Sequence, residues 1–446
     1  ERDRAADLSL ILRRTEAEAY ARLTAAERQE FNRIYWSRSD PLRLSPENEH
    51  AIEHLARVAY TELRFAAPDL GLRGWDTDRG VIYIRYGPPP VWATFPPQTA
   101  RGQTDPVAVG RLTTIWHYPE RNLRFVFTGA PGYNFARFAG DFHTYAEDAR
   151  YQVPVRYDNL PVGEALDSVP VQAVAFRATG DTTATELVLF AGIPLRRLAA
   201  DVDLDEGVLE TGMFITDRLE RPVTERRTTE TVRFDAERHV EQRTFVVHLN
   251  PGTYRYRVEA RQPATRRAAR GAADRMIESL VRPGLQVSDI LLADRVAPRN
   301  EAEVPRSRAD FFILPNAEMN YAPGDQVALY WEAYGATPDS VGAVRLDVEI
   351  IVTIQTLERR GTIARIIGGA LDAVGASSAG DDRLALAYAI EEVLGDRDRL
   401  PIYLALELGN APRGVYTLAI VLTDRISGQS TVRHRTFIVS DERDPS

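Results

Sequence analysis

Gly74-Trp75-Asp76-Thr77-Asp78-Arg79-Gly80 runs on through Val81-Ile82-Tyr83-Ile84-Arg85-Tyr86 to Gly87-Pro88-Pro89-Pro90, and it divides a helical first part of the chain from two β-rich parts. Asp78-Arg79-Gly80 reads as a turn, because Asp can bond its own backbone and Gly accepts positive φ. Val81 to Tyr86 is β-branched and aromatic, which predicts a strand. Gly87 and the prolines end it, since proline brings no N–H to a ladder.

Upstream, the pattern is helical. Residues 1–22 carry Leu8, Ile11, Leu12 and Tyr20 as apolar positions of a first helix. Thr24-Ala25-Ala26-Glu27 has capping-box spacing and predicts a second helix to about Trp36. Ser45 as N-cap and Pro46 at the first helical position predict a third. Along it Ile52, Leu55, Ala56, Ala59 and Leu63 recur on one apolar face, expected to pack on a small sheet.

Downstream, Pro90 to about Arg111 reads as a long loop. Thr113 to Tyr118 and Leu123 to Phe127 then predict strands joined at Pro119-Glu120-Arg121-Asn122. Residues 1–160 thus form one α+β unit. From Val169 strand-like runs recur every ten to fifteen residues: Val169 to Ala178, Glu186 to Gly192, Val208 to Asp217, Thr229 to Phe234, Arg243 to Leu249 and Tyr254 to Ala260. A second set comprises Val287 to Ala293, Gln326 to Tyr334, Val344 to Gln355, Ile402 to Leu408, Val415 to Thr423 and Thr431 to Val439. Gly252-Thr253-Tyr254 and Gly414-Val415-Tyr416 open matching strands, so two immunoglobulin-like β-sandwiches are expected, over 165–283 and 285–446, each with a tyrosine locking a corner. Gly361 to Gly395 reads as a helical insertion in the second, from Ile363, Ile366, Ile367, Ala370 and Leu371 and again from Leu384 to Leu394.

At 446 residues the chain exceeds a single core. A hydrophobic fraction of 44% with 27% charged residues marks a globular chain rather than a disordered one. The net charge of −9 argues against nucleic acid as a partner. All 55 basic residues are arginine, scattered among acids, which reads as GC-rich codon usage; the denser group Arg261, Arg266, Arg267 and Arg270 reads as a solvated helix face. Absence of cysteine removes disulfides and thiolate sites and fits a cytosolic protein and equally an exported bacterial protein that relies on large cores. No run approaches the ~18 apolar residues of a membrane helix. No signal peptide is seen, and a start at Glu1 without methionine reads as a processed or incomplete form.

The stretch Gly74 to Gly80 followed by Ile82-Tyr83-Ile84-Arg85-Tyr86-Gly87-Pro88-Pro89 resembles the defining motif of the bacterial GWxTD domain proteins. Trp36-Ser37-Arg38-Ser39-Asp40-Pro41, Ser45-Pro46-Glu47-Asn48-Glu49, Ser288-Asp289-Ile290-Leu291-Leu292-Ala293, Pro315-Asn316, Gly324-Asp325 and Leu329-Tyr330-Trp331-Glu332 are similar to further segments of that family. The family carries an acidic residue after the two prolines, where this chain has Pro90. The resemblance implies an exported or envelope-associated protein without an assigned activity.

Several constellations are candidate sites. Trp75, Asp76, Thr77, Asp78 and Arg79 could form a binding edge, or else a buried Trp anchor beside a tight turn. With Tyr86, Trp92 and Trp116 the aromatics could make a glycan- or peptide-binding module. His50-Ala51-Ile52-Glu53-His54 matches the inverted zinc-peptidase pattern, with His50 and His54 as ligands and Glu53 as base. Against it, both imidazoles are expected to point to solvent, and only Glu120 or Glu147 offers a third ligand. Asp201 to Gly207 resembles a calcium loop but places its glycine one position late and Gly212 where a bidentate Glu is needed. Gly375 to Gly380 lacks the spacing of a nucleophile elbow. The expectation is therefore a non-catalytic structural or interaction component without cofactor, in the periplasm, on the cell surface or outside the cell. Its expected partners are envelope or extracellular proteins, including further copies of itself.

Overall fold

In the computed structural model a 3-10 turn at Leu8–Leu10 leads into α1 (Arg14–Ala21), and the capping box at Thr24 starts α2 (Ala25–Ser39). Thr24 N donates to Glu27 Oε2 at 2.8 Å and Glu27 N to Thr24 Oγ1 at 3.4 Å. The structure describes residues 7–95, 112–129, 136–138, 165–179, 184–199, 206–234, 240–300, 304–355, 366–367, 376–378, 383–394, 399–409 and 411–441. These fall in two compact units, Glu1–Glu164 and Ala165–Ser446.

In the first unit the third helix, α3 (Glu49–Phe65), is capped by Asn48 rather than Ser45, because Asn48 Oδ1 accepts the N–H of Ala51 at 3.0 Å. Its buried face is His54, Arg57, Val58, Thr61 and Phe65. The aliphatic face expected to pack inward looks outward, with Ile52, Leu55, Ala56, Ala59 and Leu63 all exposed. The expected turn and strand after Thr77 are likewise one helix, α4 (Asp78–Tyr86). Thr77 Oγ1 accepts the N–H of Gly80 at 3.1 Å and so caps it. Val81, Ile82, Ile84, Arg85 and Tyr86 are all buried and only Asp78, Arg79 and Tyr83 are half-buried, so the run from Val81 to Tyr86 carries too few exposed positions to show a helical period. The sheet beside it is antiparallel, with strands β1 (Val91–Phe95), β2 (Leu112–Tyr118), β3 (Leu123–Gly129) and β4 (Ala136–Phe138) in that order. Phe65, Ile82 and Tyr86 share a core with Trp116, Tyr118, Leu123, Phe125, Phe127 and Phe138.

The second unit opens with β5 (Ala165–Ser168), β6 (Val171–Arg177), β7 (Thr185–Ile193), β8 (Glu206–Asp217), β9 (Pro222–Arg233), β10 (Glu241–Leu249), β11 (Gly252–Gln262) and β12 (Arg267–Ile277). The sheets β10-β7-β6 and β5-β12-β11-β8-β9 enclose one core, from Leu187 and Leu189 on one side to Met213 and Val258 on the other. There follow β13 (Gln286–Val287), β14 (Leu291–Pro298), β15 (Phe311–Pro315), β16 (Asn320–Tyr321), β17 (Gln326–Tyr334), β18 (Ala343–Gln355), β19 (Ile366–Ile367), β20 (Ala376–Ser378), β21 (Arg383–Val393), β22 (Arg399–Glu407), β23 (Gly414–Asp424) and β24 (Ser430–Val439). They form β15-β14-β17-β22-β19, with β13 also on β17, and β16-β24-β23-β18-β21-β20, around a core that includes Trp331, Val348 and Leu418. Two expectations change. The arginine group 261–270 lies on the β11–β12 hairpin, not a helix. Residues 383–393 are a strand paired along β18, with Leu386, Tyr388 and Ile390 buried at a period of two. The rest of the expected insertion, 361–382, lies largely outside the described residues, as do the first half of the calcium-like loop and most of the loop from Pro90 to Arg111.

The tyrosine corners form in both sandwiches. Tyr254 Oη donates to Asn250 O at 3.1 Å, and Tyr416 Oη to Pro412 O at 2.6 Å. The sandwiches also share a third core, in which Val174, Phe176, Val188 and Phe190 meet Leu291, Phe311 and Tyr330. β7 is therefore buried on both faces, and so is nearly all of β17. The buried side chain of Gln172 bridges this junction, donating to Leu292 O at 2.8 Å and Asn316 O at 2.6 Å and accepting Leu292 N at 2.8 Å.

Replacing Gln172 with Leu leaves Leu292 N without its partner, while Leu292 O still accepts Asn316 N at 3.1 Å and Asn316 O still accepts Met319 N at 3.3 Å; urea denaturation is expected to show a loss of about 1–3 kcal/mol. Asp424 supplies a pH handle. Burial opposes ionisation there, but Ser427 Oγ, Thr337 N and Ile426 N donate to the carboxylate and hold its pKa at about 2, below the usual 3.8. A depressed carboxyl stabilises the fold above pH ~4 and loses that contribution as pH falls through about 2. Asp424→Asn should therefore flatten the acid limb of a stability profile relative to the parent chain.

Candidate functional site

Gly74 N donates to Glu62 Oε2 at 2.8 Å and so fixes the loop before α4 to α3. The approach is close enough that a Cβ on residue 74 would overlap the Thr61 carbonyl oxygen, and one on Gly80 would overlap the Gly74 carbonyl. Only hydrogen fits at either place. Thr77 has two tasks, its hydroxyl donating to Gly74 O at 2.7 Å while accepting from Gly80 N. Asp78 Oδ2 accepts the N–H of Phe138 at 2.7 Å, which ties the start of α4 to β4. Trp75 is buried with Leu8, Ile11, Leu12, Val58 and Ile84, and the Arg73 guanidinium lies 4.6 Å from its ring centre.

Two buried arginines complete this arrangement. Arg57 donates to Ile84 O at 3.2 Å and sits near Arg85 O at 3.5 Å, placing a cation at the carbonyl end of α4, and also to Glu53 Oε1 at 2.7 Å. Arg85 donates to Leu10 O at 3.2 Å and Leu12 O at 3.0 Å. Arg79 lies 4.9 Å from the Phe65 ring, and burial, with Arg64 nearby, pulls its pKa down. Burial pushes the Tyr118 hydroxyl up, and that group donates to Gly87 O at 2.9 Å. Neither arginine was picked out from the sequence. The available signal was a cation inside an apolar run, as in Ile84-Arg85-Tyr86.

The structure does not bring the aromatic candidates onto one surface. Trp75, Tyr86 and Trp116 are interior, while Trp92 is 65% exposed on β1. Asp76 is exposed at the turn, and Asp78 and Arg79 are half-buried. His54, expected in solvent, is buried with its ring 5.3 Å from that of Trp36. Glu53 is bonded to Arg57. Among the described residues no three His, Asp or Glu side chains are placed to hold a metal ion.

The second unit has a polar cleft of about 300 Å³ where the sandwiches meet, lined by Arg275, Glu278, Asp289, Arg433 and His434 among others. Its charges answer one another. Arg275 pairs with Asp289, which also accepts Ala175 N at 2.8 Å. Arg433 donates to Glu278 at 3.1 Å and to Val287 O at 3.2 Å. Chemically this is an ion-pair seam holding β6, β12 and β24 together.

No family model matches the chain, and no curated protein matches it. Among solved structures it is similar to AvmM, which catalyzes macrocyclization in alchivemycin A biosynthesis, at 6% identity over 36% of this chain and 92% of that one, with a TM-score of 0.22. It is also similar to the C-terminal domain of the Streptococcus agalactiae AgI/II polypeptide BspA, at 9% identity, 61% and 99% coverage and a TM-score of 0.20. A third similarity is to BcpA, the major pilin subunit of Bacillus cereus, at 8% identity, 52% and 69% coverage and a TM-score of 0.19. Similarities of this size establish no kinship.

The motif glycines and threonine admit a direct test. Gly80→Ala is expected to prevent folding of the first unit, and Thr77→Ala to cost about 1–2 kcal/mol in chemical denaturation. Trp92→Ala should stay within about 0.5 kcal/mol, as an exposed position does.

Proposed function

We propose that the chain is a non-catalytic structural or protein-interaction component of a bacterial cell envelope or extracellular assembly, and that it is exported. We further propose that it belongs with the GWxTD domain proteins it resembles, and that its paired sheets are immunoglobulin-like sandwiches. The observation that carries the reading is the use made of polar groups. In the motif of the first unit and in the cleft of the second, the side chains described above fasten one element to another, whereas a catalytic site holds groups facing an open space. The stacked sheets lend support, since their shared core suits a part that transmits contact rather than one that opens and closes. The edge strand β9 does so too. Among the described residues it pairs on one side only, with β8, and most of its length is exposed, as strand addition between proteins requires. No helix among the described residues is long and apolar enough to cross a membrane.

Fractionation of the producing bacterium tests the proposal. The protein is expected in the periplasmic, surface or culture fraction, in a particle larger than one chain. Recovery from the cytosol as a single chain would overturn it.

A further inference from the structure

The ion pairs in the cleft of the second unit leave backbone groups over. The cleft walls include three successive residues of β12, Asp274 to Met276, and three of β24, Val432 to His434. Successive side chains of a strand point to opposite faces, so a cleft that touches all three runs along the strand's edge. For β24 the direction of that edge follows from its far end. Ile438 N donates to Met319 O at 2.9 Å and Ser440 N to Tyr321 O at 3.0 Å, so even-numbered residues turn their backbone groups away from β23. The pairing with β16 covers only Ile438 and Val439. Val432, His434 and Thr436 therefore present N–H and C=O groups on that side with no partner among the described residues.

Positive charge is left over as well. Asp274 is held from β11 by Arg255, at 2.7 and 3.1 Å. The remaining carboxylates, Asp289 and Glu278, answer Arg275 and Arg433. Arg435, the next residue but one on the inner side of β24, is a third arginine. Its Nη1 donates to Ala173 O at 3.3 Å, and no carboxylate pairs with it among the described residues. Burial pulls its pKa down, with Asp289 opposing and Arg275 assisting, so its guanidinium lies in the field of the cleft wall. Three guanidiniums thus face two carboxylates.

We propose that a short extended peptide segment of a partner protein, carrying an aspartate or glutamate, adds as a strand to the open edge of β24 in this cleft. This rests on the reading of the chain as an interaction component and names the edge and the chemistry it uses. The backbone groups select a peptide, because main-chain hydrogen bonds supply the affinity of strand addition. The unmatched arginine selects the carboxylate. Residues opposite each other on paired strands share a face, so an acidic residue opposite Arg433 lies diagonal to Arg435, within reach of its long side chain. Its sequence neighbours then stand opposite Val432 and His434 on the outer face, where Val432, 44% exposed, offers apolar contact. A cleft of about 300 Å³ is at the small end of ligand pockets, which suits the middle of one short segment.

Hydrogen–deuterium exchange of the full chain, read by mass spectrometry, is the test, with the blocked peptide acetyl-Thr-Val-Glu-Val-Thr-amide as probe. Exchange along β24 is expected to slow when the probe is added. Calorimetric titration should give it an affinity about tenfold above that of the same peptide with Gln in place of Glu. Arg435→Gln should erase that preference. His434→Pro removes one outward N–H, a change that an open edge tolerates, and should abolish binding, whereas His434→Ala should bind as the parent chain does. A probe methylated on its backbone nitrogens should not bind the parent chain, which tests the strand pairing without altering the fold. Unchanged exchange along β24, slowing confined to β9, equal affinity for the Glu and Gln peptides, or binding by the methylated probe would each overturn the proposal. So would free glutarate that binds as tightly as the peptide, since it would assign the cleft to small acids. Fractionation reads location and not this edge, so failure of either proposal is seen separately.

Discussion

Glu332 is completely buried, and a carboxylate removed from water persists in a fold only where donors surround it. Tyr330 Oη and Tyr334 Oη donate to it at 2.8 and 2.7 Å, and Arg399 stands 3.6 Å away. Each of these groups also touches the first sandwich. Tyr330 packs on Phe176, Tyr334 Oη accepts Arg177 N at 3.0 Å, and Arg399 reaches Ala178 O at 3.5 Å. Burial, reinforced by the neighbouring carboxylate, pushes both phenols well above their ordinary pKa. The requirement to satisfy one buried charge thus fixes which strands of the two sandwiches meet. Hydrophobic contact alone would tolerate sliding between sheets, whereas a set of hydrogen bonds to a single carboxylate does not.

The same constraint operates in the first unit with the sign reversed. Arg57 and Arg85 are buried cations whose donors go to backbone carbonyls of α4 and of the turn at Leu8 to Leu12. This explains why α3 turns its aliphatic face away. The side that packs inward must let Gly74 lie against the Thr61 backbone and must supply a cation to the end of α4. Thr61 and Arg57 meet both needs, whereas Leu55 and Leu63 would meet neither. The helix is therefore anchored within the chain by its polar face, and its aliphatic face is exposed.

What could be read from the sequence follows from which interactions are local. The capping box at Thr24 and the tyrosines four residues beyond Asn250 and Pro412 depend on near neighbours, and they form as their spacing implies. Strands with one buried face, such as β23, alternate visibly and were found within a few residues. Val81 to Tyr86 reads as a strand because its β-branched residues are buried in the helix and its partly exposed positions, Asp78, Arg79 and Tyr83, lie mostly ahead of that run. Residues 383–393 misled for the opposite reason, since alternating Leu and Ala also satisfies a helical count. Strand β12 escaped because Arg267-Ala268-Ala269-Arg270-Gly271-Ala272-Ala273 has no β-branched residue, and its pairing with β5 and β11 overrides that weak propensity.

The Gly-Trp-Asp-Thr-Asp stretch shows how a motif of unusual composition can look like a binding signature and still owe its composition to backbone geometry. A ligand site presents donors and acceptors that the protein leaves open, so the groups should be tallied one by one. Gly74 N, Gly74 O, the Thr77 hydroxyl, Gly80 N and Asp78 Oδ2 all have protein partners, whereas the buried Trp75 Nε1 and Arg79 Nε have no hydrogen-bond partner among the described residues. Trp75 presents its ring to Arg73 and to the interior. Each residue type is then required for a different physical reason: absence of a Cβ at two positions, a hydroxyl that both donates and accepts, a short carboxylate at a helix start, and a large ring to fill a cavity between α3, α4 and the first turn. An aspartate or threonine chosen for such tasks is indistinguishable in sequence from one chosen for chemistry. The tally of partners separates the two, and for Gly74, Thr77, Asp78 and Gly80 it gives backbone geometry as the reason for the composition.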